Sequence, residues 1–309
     1  MLFNLAIDAV LRDSVDGHPG GVELLPGDPI KDICYADDVA LLADSPRDMQ
    51  TLLERVAAAA AAVGLRISVP KSQTMGCCTS SATGLSCSLD GSQLESVESF
   101  TYLGSNITPS GKATTEITAR INKATAAFER LREHVWSPKE ISIKTKGRVY
   151  RAAVRTVLLY GCATWPIRVE DVRRLQVFET RKVRQILGIS YRDMVTNAEV
   201  LRRLGLNNIQ DAVQLARGTW LGHLLRMGDE RLAKRALMAK PGPGWKRPVG
   251  GVHMTWHRLV AKDFESLRGN IAKGKWLGAW INHLSGMASN RAQWNAACRD
   301  CLTQKALGR

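Results

Sequence analysis

Residues 32–44, "DICYADDVALLAD", set two aspartates side by side between two short apolar runs, Ile33–Ala36 and Val39–Leu42. Two residues between β-type runs is the length of a tight hairpin, which places Asp37 and Asp38 at its tip. Two carboxylates about 4 Å apart repel by roughly 4 kcal/mol at an effective dielectric of about 20. A small turn avoids that repulsion, keeps one acid protonated, or places a cation between the two. Hard oxygen ligands on a rigid tip suit Mg²⁺. The dipeptide alone also reads as plain surface-turn chemistry. The flanking apolar runs favour the metal reading, because they are expected to pin the pair at the edge of a buried sheet.

Upstream, "LFNLAIDAVLR" has helical spacing, with Leu2, Leu5, Ala9 and Val10 on one side, and 13–29 is a loop with a short strand at Val22–Leu25. Downstream, Ser45-Pro46-Arg47-Asp48 is a helix start: an N-cap serine, a proline at the first helical position and an acid in the first turn. That helix runs through Leu52, Leu53, Val56 and six alanines to Gly64, a residue suited to a C-terminal cap. "LRISV" (65–69) reads as a strand and "FTYLGSNI" (100–107) as a strand pair about Gly104. The order of hairpin, helix and strand predicts an α+β fold.

After Gly111 the β signal fades. Ile117, Ile121, Ala124, Phe128, Leu131 and Val135 form an apolar helical seam, and further helices are expected at about 139–160, 169–187, 197–204 and 208–227. "KPGPGWKRPVGG" (240–251) reads as a linker before a small Trp-rich region.

Charge divides at the same place. Residues 1–111 carry 6 Lys/Arg against 14 Asp/Glu, whereas 112–309 carry 37 against 15, and all eight tryptophans lie at or beyond Trp136. A basic field of that size attracts polyanions, of which nucleic acid is the commonest in the cell. The start lacks the basic residue of a signal peptide, and no apolar run approaches the roughly 18 residues of a membrane span. Seven cysteines, an odd number, fit a reducing interior better than a disulfide framework. The expected location is therefore intracellular, cytoplasmic or nuclear, and not secreted.

"YADDVALLAD" resembles the Tyr-Xaa-Asp-Asp box of reverse transcriptases, in the form found in non-LTR (LINE-type) retrotransposons. Further resemblances follow in order: Met1-Leu2-Phe3-Asn4-Leu5 before the box, "VGLRISVPKSQTM" after it, and "FTYLGSNIT", similar to a primer-grip hairpin. "KTKGRVYRAAVRTVLLYGCATW" (144–165) and "WLGHLLRM" (220–227) are similar to thumb and post-thumb regions.

The resemblance implies a partial antiparallel palm sheet with helices over 1–111, a basic helical thumb over 112–239, and a linker and tail over 240–309. It implies RNA-templated DNA synthesis, with Asp37 and Asp38 holding two Mg²⁺ ions and Lys71 as a catalytic contact to the departing phosphate. Tyr35, Ala36, Tyr102, Leu103 and Gly104 would lie against the primer. The implied partners are an RNA template, a DNA primer and, in the intact enzyme, dNTP, with a monomer expected and no membrane.

The family's fingers and the palm motif bearing its third metal-binding aspartate precede the "LFNL" segment, where this sequence starts. Asp8, Asp13, Asp16, Asp28 and Asp32 lie in no comparable strand context, so an incomplete site and no synthesis by the isolated chain are expected. The alternative is a non-catalytic nucleic-acid-binding remnant. For binding, Lys144, Arg148, Arg151 and Arg155 are spaced to share one helix face and form a ridge that could track phosphates. The helix–Gly–helix outline of 197–224 is weakly reminiscent of a helix-turn-helix. Cys298 and Cys301 lack a second ligand pair and share helical spacing with Trp294, which favours core packing over zinc.

Overall fold

The computed structural model describes residues 2–25, 28–77, 86–239, 254–268 and 277–306. Met1, Cys78 and the expected linker 240–251 lie outside them. The fold is α+β, with short strand pairs in the first part and helices throughout the rest. The chain divides into one unit of Met1–Gly111 with Arg235–Pro248, and a second of Lys112–Lys234 with Val249–Arg309.

In the first unit, helix α1 (Leu2–Val15) is followed by β1 (Val22–Leu25), antiparallel to β2 (Asp28–Ile30). Strands β3 (Asp32–Tyr35) and β4 (Asp38–Leu41) form the central hairpin. Helix α2 (Pro46–Ala62) begins as its sequence dictates: the Asp48 backbone N–H donates to Ser45 Oγ at 3.1 Å, and the helix is followed by Gly64 at φ +77°. Strand β5 (Gln73–Thr74) pairs in parallel with β8 (Glu95–Ser96). The short hairpins β6 (Ser88–Leu89)–β7 (Ser92–Gln93) and β9 (Phe100–Tyr102)–β10 (Ser105–Ile107) are antiparallel.

Among the described residues, every sheet has two strands. This corrects the expectation that apolar flanks would pin the aspartates to a buried sheet. Ile33, Cys34, Tyr35 and Val39 are exposed, because no third described strand covers the hairpin. The stretch 65–69 also differs from the expected strand. Leu65, Ile67 and Val69 alternate inward as a strand would, but no described strand pairs with them, and the chain passes into a 3₁₀ turn at Val69–Lys71. Burial on α1 falls on Val10, Leu11 and Ser14, while Leu2 and Leu5 are exposed. Val10 packs with Leu52, Val56 and Ala60 of α2, and a second cluster joins Leu53 to Cys87, Leu89 and Leu94.

In the second unit, the apolar seam becomes α3 (Thr114–Arg130), with Ile117, Ala124 and Phe128 fully buried and Ile121, Leu131 and Val135 packed against them. The Phe128 ring stacks on Trp136 with centroids 5.2 Å apart. Next come α4 (Ile143–Val149), a π-helical segment (Tyr150–Arg155) and α5 (Thr156–Leu158), which run on as one helix. Helices α6 (Val169–Leu187), α7 (Asn197–Arg203) and α8 (Ile209–Arg226) follow close to their expected positions. The remainder of this unit is α10 (Trp256–Asp263), α11 (Leu277–Ala288) and α12 (Arg291–Ala306), while α9 (Leu232–Met238) is divided between the two units after Lys234.

Helix α8 is the hub of the second unit and touches α6, α10, α11 and α12. Its Gly218 and Gly222 present a flat face to Phe264 and Trp294, and the Trp294 indole donates to the Gly218 carbonyl at 2.8 Å. Helix α8 is thus packed into the unit, and a helix-turn-helix needs its second helix free to enter a groove. Trp294, Cys298 and Cys301 are all buried core residues.

Candidate metal and nucleic-acid sites

The register Cys34↔Val39 and Tyr35↔Asp38 makes Ala36 and Asp37 the two central residues of the turn, one position earlier than the apolar runs suggest. Asp38 is the first residue of the returning strand and shares a face with Tyr35, because directly paired residues lie on the same side of a ladder. Both aspartates and Tyr35 are exposed, Tyr35 at 65%.

Ala36 holds φ +56°, the left-handed region that costs a residue with a Cβ roughly 1–2 kcal/mol. Ala36→Gly removes that cost and adds about 0.5–1 kcal/mol of chain entropy to lose. The expected net result is a hairpin tighter by about 0.5 kcal/mol, read as slower amide exchange at Tyr35 and Asp38. Unchanged or faster exchange would contradict it.

The β9–β10 hairpin comes to the same place. Tyr102 donates its hydroxyl to the Ile33 carbonyl at 3.3 Å. Its phenol is pushed above the ordinary value, first by burial and then by the charges of Asp38 and Cys34. Leu103 and Gly104 form the tip of that hairpin with φ of +48° and +79°. The structure therefore docks Tyr102 on the strand that carries Tyr35 and within the field of Asp38, through a bond that spans 69 residues of sequence.

Acidic groups crowd the base of the hairpin. Burial, then Asp32 and Asp8, raise the Cys34 thiol above its usual value; burial, then Asp16, raise Asp32. Of the spare acids, Asp8, Asp16 and Asp32 thus act on this region through their charge. Even so, among the described residues no group of three or more His, Cys, Asp or Glu is placed to hold a metal ion. The oxygens of Asp37 and Asp38 fit a hard divalent cation, but only as part of its shell. Lys71 is exposed at the end of the 3₁₀ turn, with no side-chain partner among the described residues.

The basic ridge is shorter than its spacing predicts. Lys144, Arg148 and Arg151 are exposed, and Arg151 also donates to the Gly205 carbonyl at 3.1 Å. Arg155 leaves the ridge. It is buried 3.0 Å from Glu179, and its guanidinium donates to the Asn207 side chain at 2.7 Å and to the Asn207 carbonyl at 2.6 Å. The cause is the π-helical winding of Tyr150–Arg155, which turns less per residue than an α-helix and shifts the phase of everything after it. Burial raises the Glu179 carboxyl to about 7, against the opposing pull of Arg155.

Sequence reasoning missed this buried pair, because Arg155 carried the spacing of a surface cation. It also missed a groove of about 720 Å³ between α3 and α6, lined in part by Arg173, Arg174, Arg181 and Lys182. No described helix is long and apolar enough to cross a membrane.

The family model described as reverse transcriptase (RNA-dependent DNA polymerase) matches residues 1–107, the part that holds the Asp37-Asp38 hairpin and the Tyr102 hairpin. A transposon-derived protein of Caenorhabditis elegans is 25% identical over 282 residues, covering 88% of this chain and 96% of its own length. Reverse transcriptases in general depend on a divalent metal, a nucleic-acid template and dNTP.

Proposed function

With its first 107 residues similar to reverse transcriptases, we propose that this chain carries part of an RNA-directed DNA polymerase of a non-LTR retrotransposon. Residues 1–111 are its palm segment, 112–239 its basic thumb and 240–309 its tail. The observation that carries the reading is the convergence of Tyr35, Asp38 and Tyr102 on one exposed hairpin.

Asp37 and Asp38 are the metal ligands, with Mg²⁺ as the cation. With its remaining ligands supplied, the cation these two carboxylates would hold would provide Lewis-acid activation of the attacking hydroxyl and charge neutralisation at the leaving phosphate. Tyr35, Ala36, Tyr102, Leu103 and Gly104 form the surface under the primer end, and Lys71 is assigned to the departing phosphate. Two carboxylates supply only part of a cation's shell, which supports inactivity of the chain by itself. Incubation with a primed RNA template, Mg²⁺ and dNTP is expected to give no extension; elongated primer would refute the proposal of inactivity.

The second reading, nucleic-acid binding without catalysis, is favoured by the exposed Lys144, Arg148 and Arg151. Three phosphate contacts contribute a log–log salt slope of about −3. Reversing the three charges is expected to remove that share of the slope, while Asp37→Asn with Asp38→Asn leaves binding unchanged. Salt-independent affinity for a primed template would count against the ridge.

A further inference from the structure

The groove between α3 and α6 lies within the second unit and belongs to none of the sites above. Its apolar lining is Ile121 of α3 with Val177 and Phe178 of α6. Two of its four cations are already engaged. Arg174 donates to Thr118 at 2.7 Å and lies 3.6 Å from Asp171; Lys182 donates to Glu129 at 2.8 Å and sits 4.5 Å from the Phe128 ring centre. The other two, Arg173 and Arg181, are exposed and have no hydrogen-bond or ion-pair partner among the described residues.

Arg173, Val177 and Arg181 follow one another at four-residue steps along α6, so they share a face and the two guanidiniums stand roughly 12 Å apart along the axis. Val177 between them is 59% exposed. An apolar side chain held open between two unpaired cations calls for a ligand with the inverse pattern: acid, apolar, acid, at the same rise. A helix with acids at i and i+8 and an aliphatic residue at i+4 has it. Single-stranded nucleic acid fits less well, because its bases need exposed rings to stack on. The one ring in the lining, Phe178, is buried. Glu170 lies one helical turn before Arg173 and repels a third acid there, which gives the groove a direction.

We propose that this groove docks an acidic amphipathic helix of a partner protein, with two carboxylates paired to Arg173 and Arg181 about an aliphatic residue seated on Val177. Charge complementarity and the exposed apolar Val177 between the two cations commit it to that occupant.

The test uses the full chain and fluorescein-labelled helical peptides of about fifteen residues. One peptide carries glutamates eight apart with a leucine midway; its counterpart has lysines in place of both glutamates; a thymidine oligonucleotide of similar length is the third probe. Anisotropy is expected to show binding of the acidic peptide, weakened about tenfold or more by Arg173→Glu with Arg181→Glu and also by Val177→Asp. The doubly reversed chain is expected to prefer the lysine peptide. All three positions are exposed, and circular dichroism checks that each variant folds. Acidic-peptide affinity indifferent to these substitutions overturns the proposal, as does an oligonucleotide that alone loses binding, which would make the groove a nucleic-acid track.

Discussion

Arg155→Met is expected to cost about 3–5 kcal/mol of stability at pH 8, and about 1 kcal/mol less at pH 6. The difference comes from Glu179. Its carboxyl is raised from 4.5 to about 7 because burial outweighs the attraction of Arg155. A folded-state value above the unfolded one contributes stability that is complete below pH 4.5 and is lost as pH rises to about 7. Without Arg155 the value rises further, so the loss continues beyond the window that limits the natural chain. Each further pH unit costs about 1.4 kcal/mol.

Glu179→Gln gives the opposite trend. A neutral amide there matches a carboxyl that is already mostly protonated at pH 6, and Arg155 keeps its bonds to Asn207, so the cost at pH 6 is expected to be small. It also removes the natural chain's own loss between pH 6 and 7. The variant therefore gains about 1 kcal/mol on the natural chain between pH 6 and pH 8. Urea unfolding at both pH values checks the pair. Equal losses at both pH values for Arg155→Met would show that Glu179 does not sense its burial.

Gly222→Ala is expected to destabilise the second unit by about 2–3 kcal/mol, and Trp294→Ala by about 3–5 kcal/mol. Any Cβ at Gly222 would collide with the Trp294 indole, which is held by its bond to the Gly218 carbonyl and is fully buried. The helix cannot yield easily, because a Cβ at Gly218 would already come within 2.6 Å of the Phe264 ring. Combining the two changes is expected to cost at least about 1 kcal/mol less than their sum, since the new methyl enters space the indole has vacated. Strict additivity in chemical denaturation would show that the ring and the glycine do not share that space.

Features with a local cause were legible in the sequence. The Ser45 cap, the Gly64 ending, the α3 seam and the burial of Trp294 with Cys298 and Cys301 depend on neighbours a turn or two away. Features set by distant partners were not. Leu65, Ile67 and Val69 alternate as a strand does, yet a ladder also needs a strand beside them. The turn at Ala36-Asp37 is one position off its expected place because register is settled by the pairing of Tyr35 with Asp38. At the candidate site, the aspartates could be read as a pair, but the approach of Tyr102 to Ile33 is a tertiary contact. Arg155 was misread because spacing arguments assume one winding along a helix.

That change of winding gives residues 143–158 two tasks on a single axis. Lys144, Arg148 and Arg151 look outward, where their charges are available to another molecule; at the end of the wider winding Arg155 turns inward, as Lys146 does earlier toward the Trp136 carbonyl, and ties its helix to Glu179 and Asn207. An uninterrupted α-helix would carry Arg155 to the side of Lys144, Arg148 and Arg151 and leave Glu179 unanswered. The wider turn moves Arg155 from what the segment offers to what it anchors. Deleting a residue there would therefore disturb recognition and stability together, even though no charge had been removed.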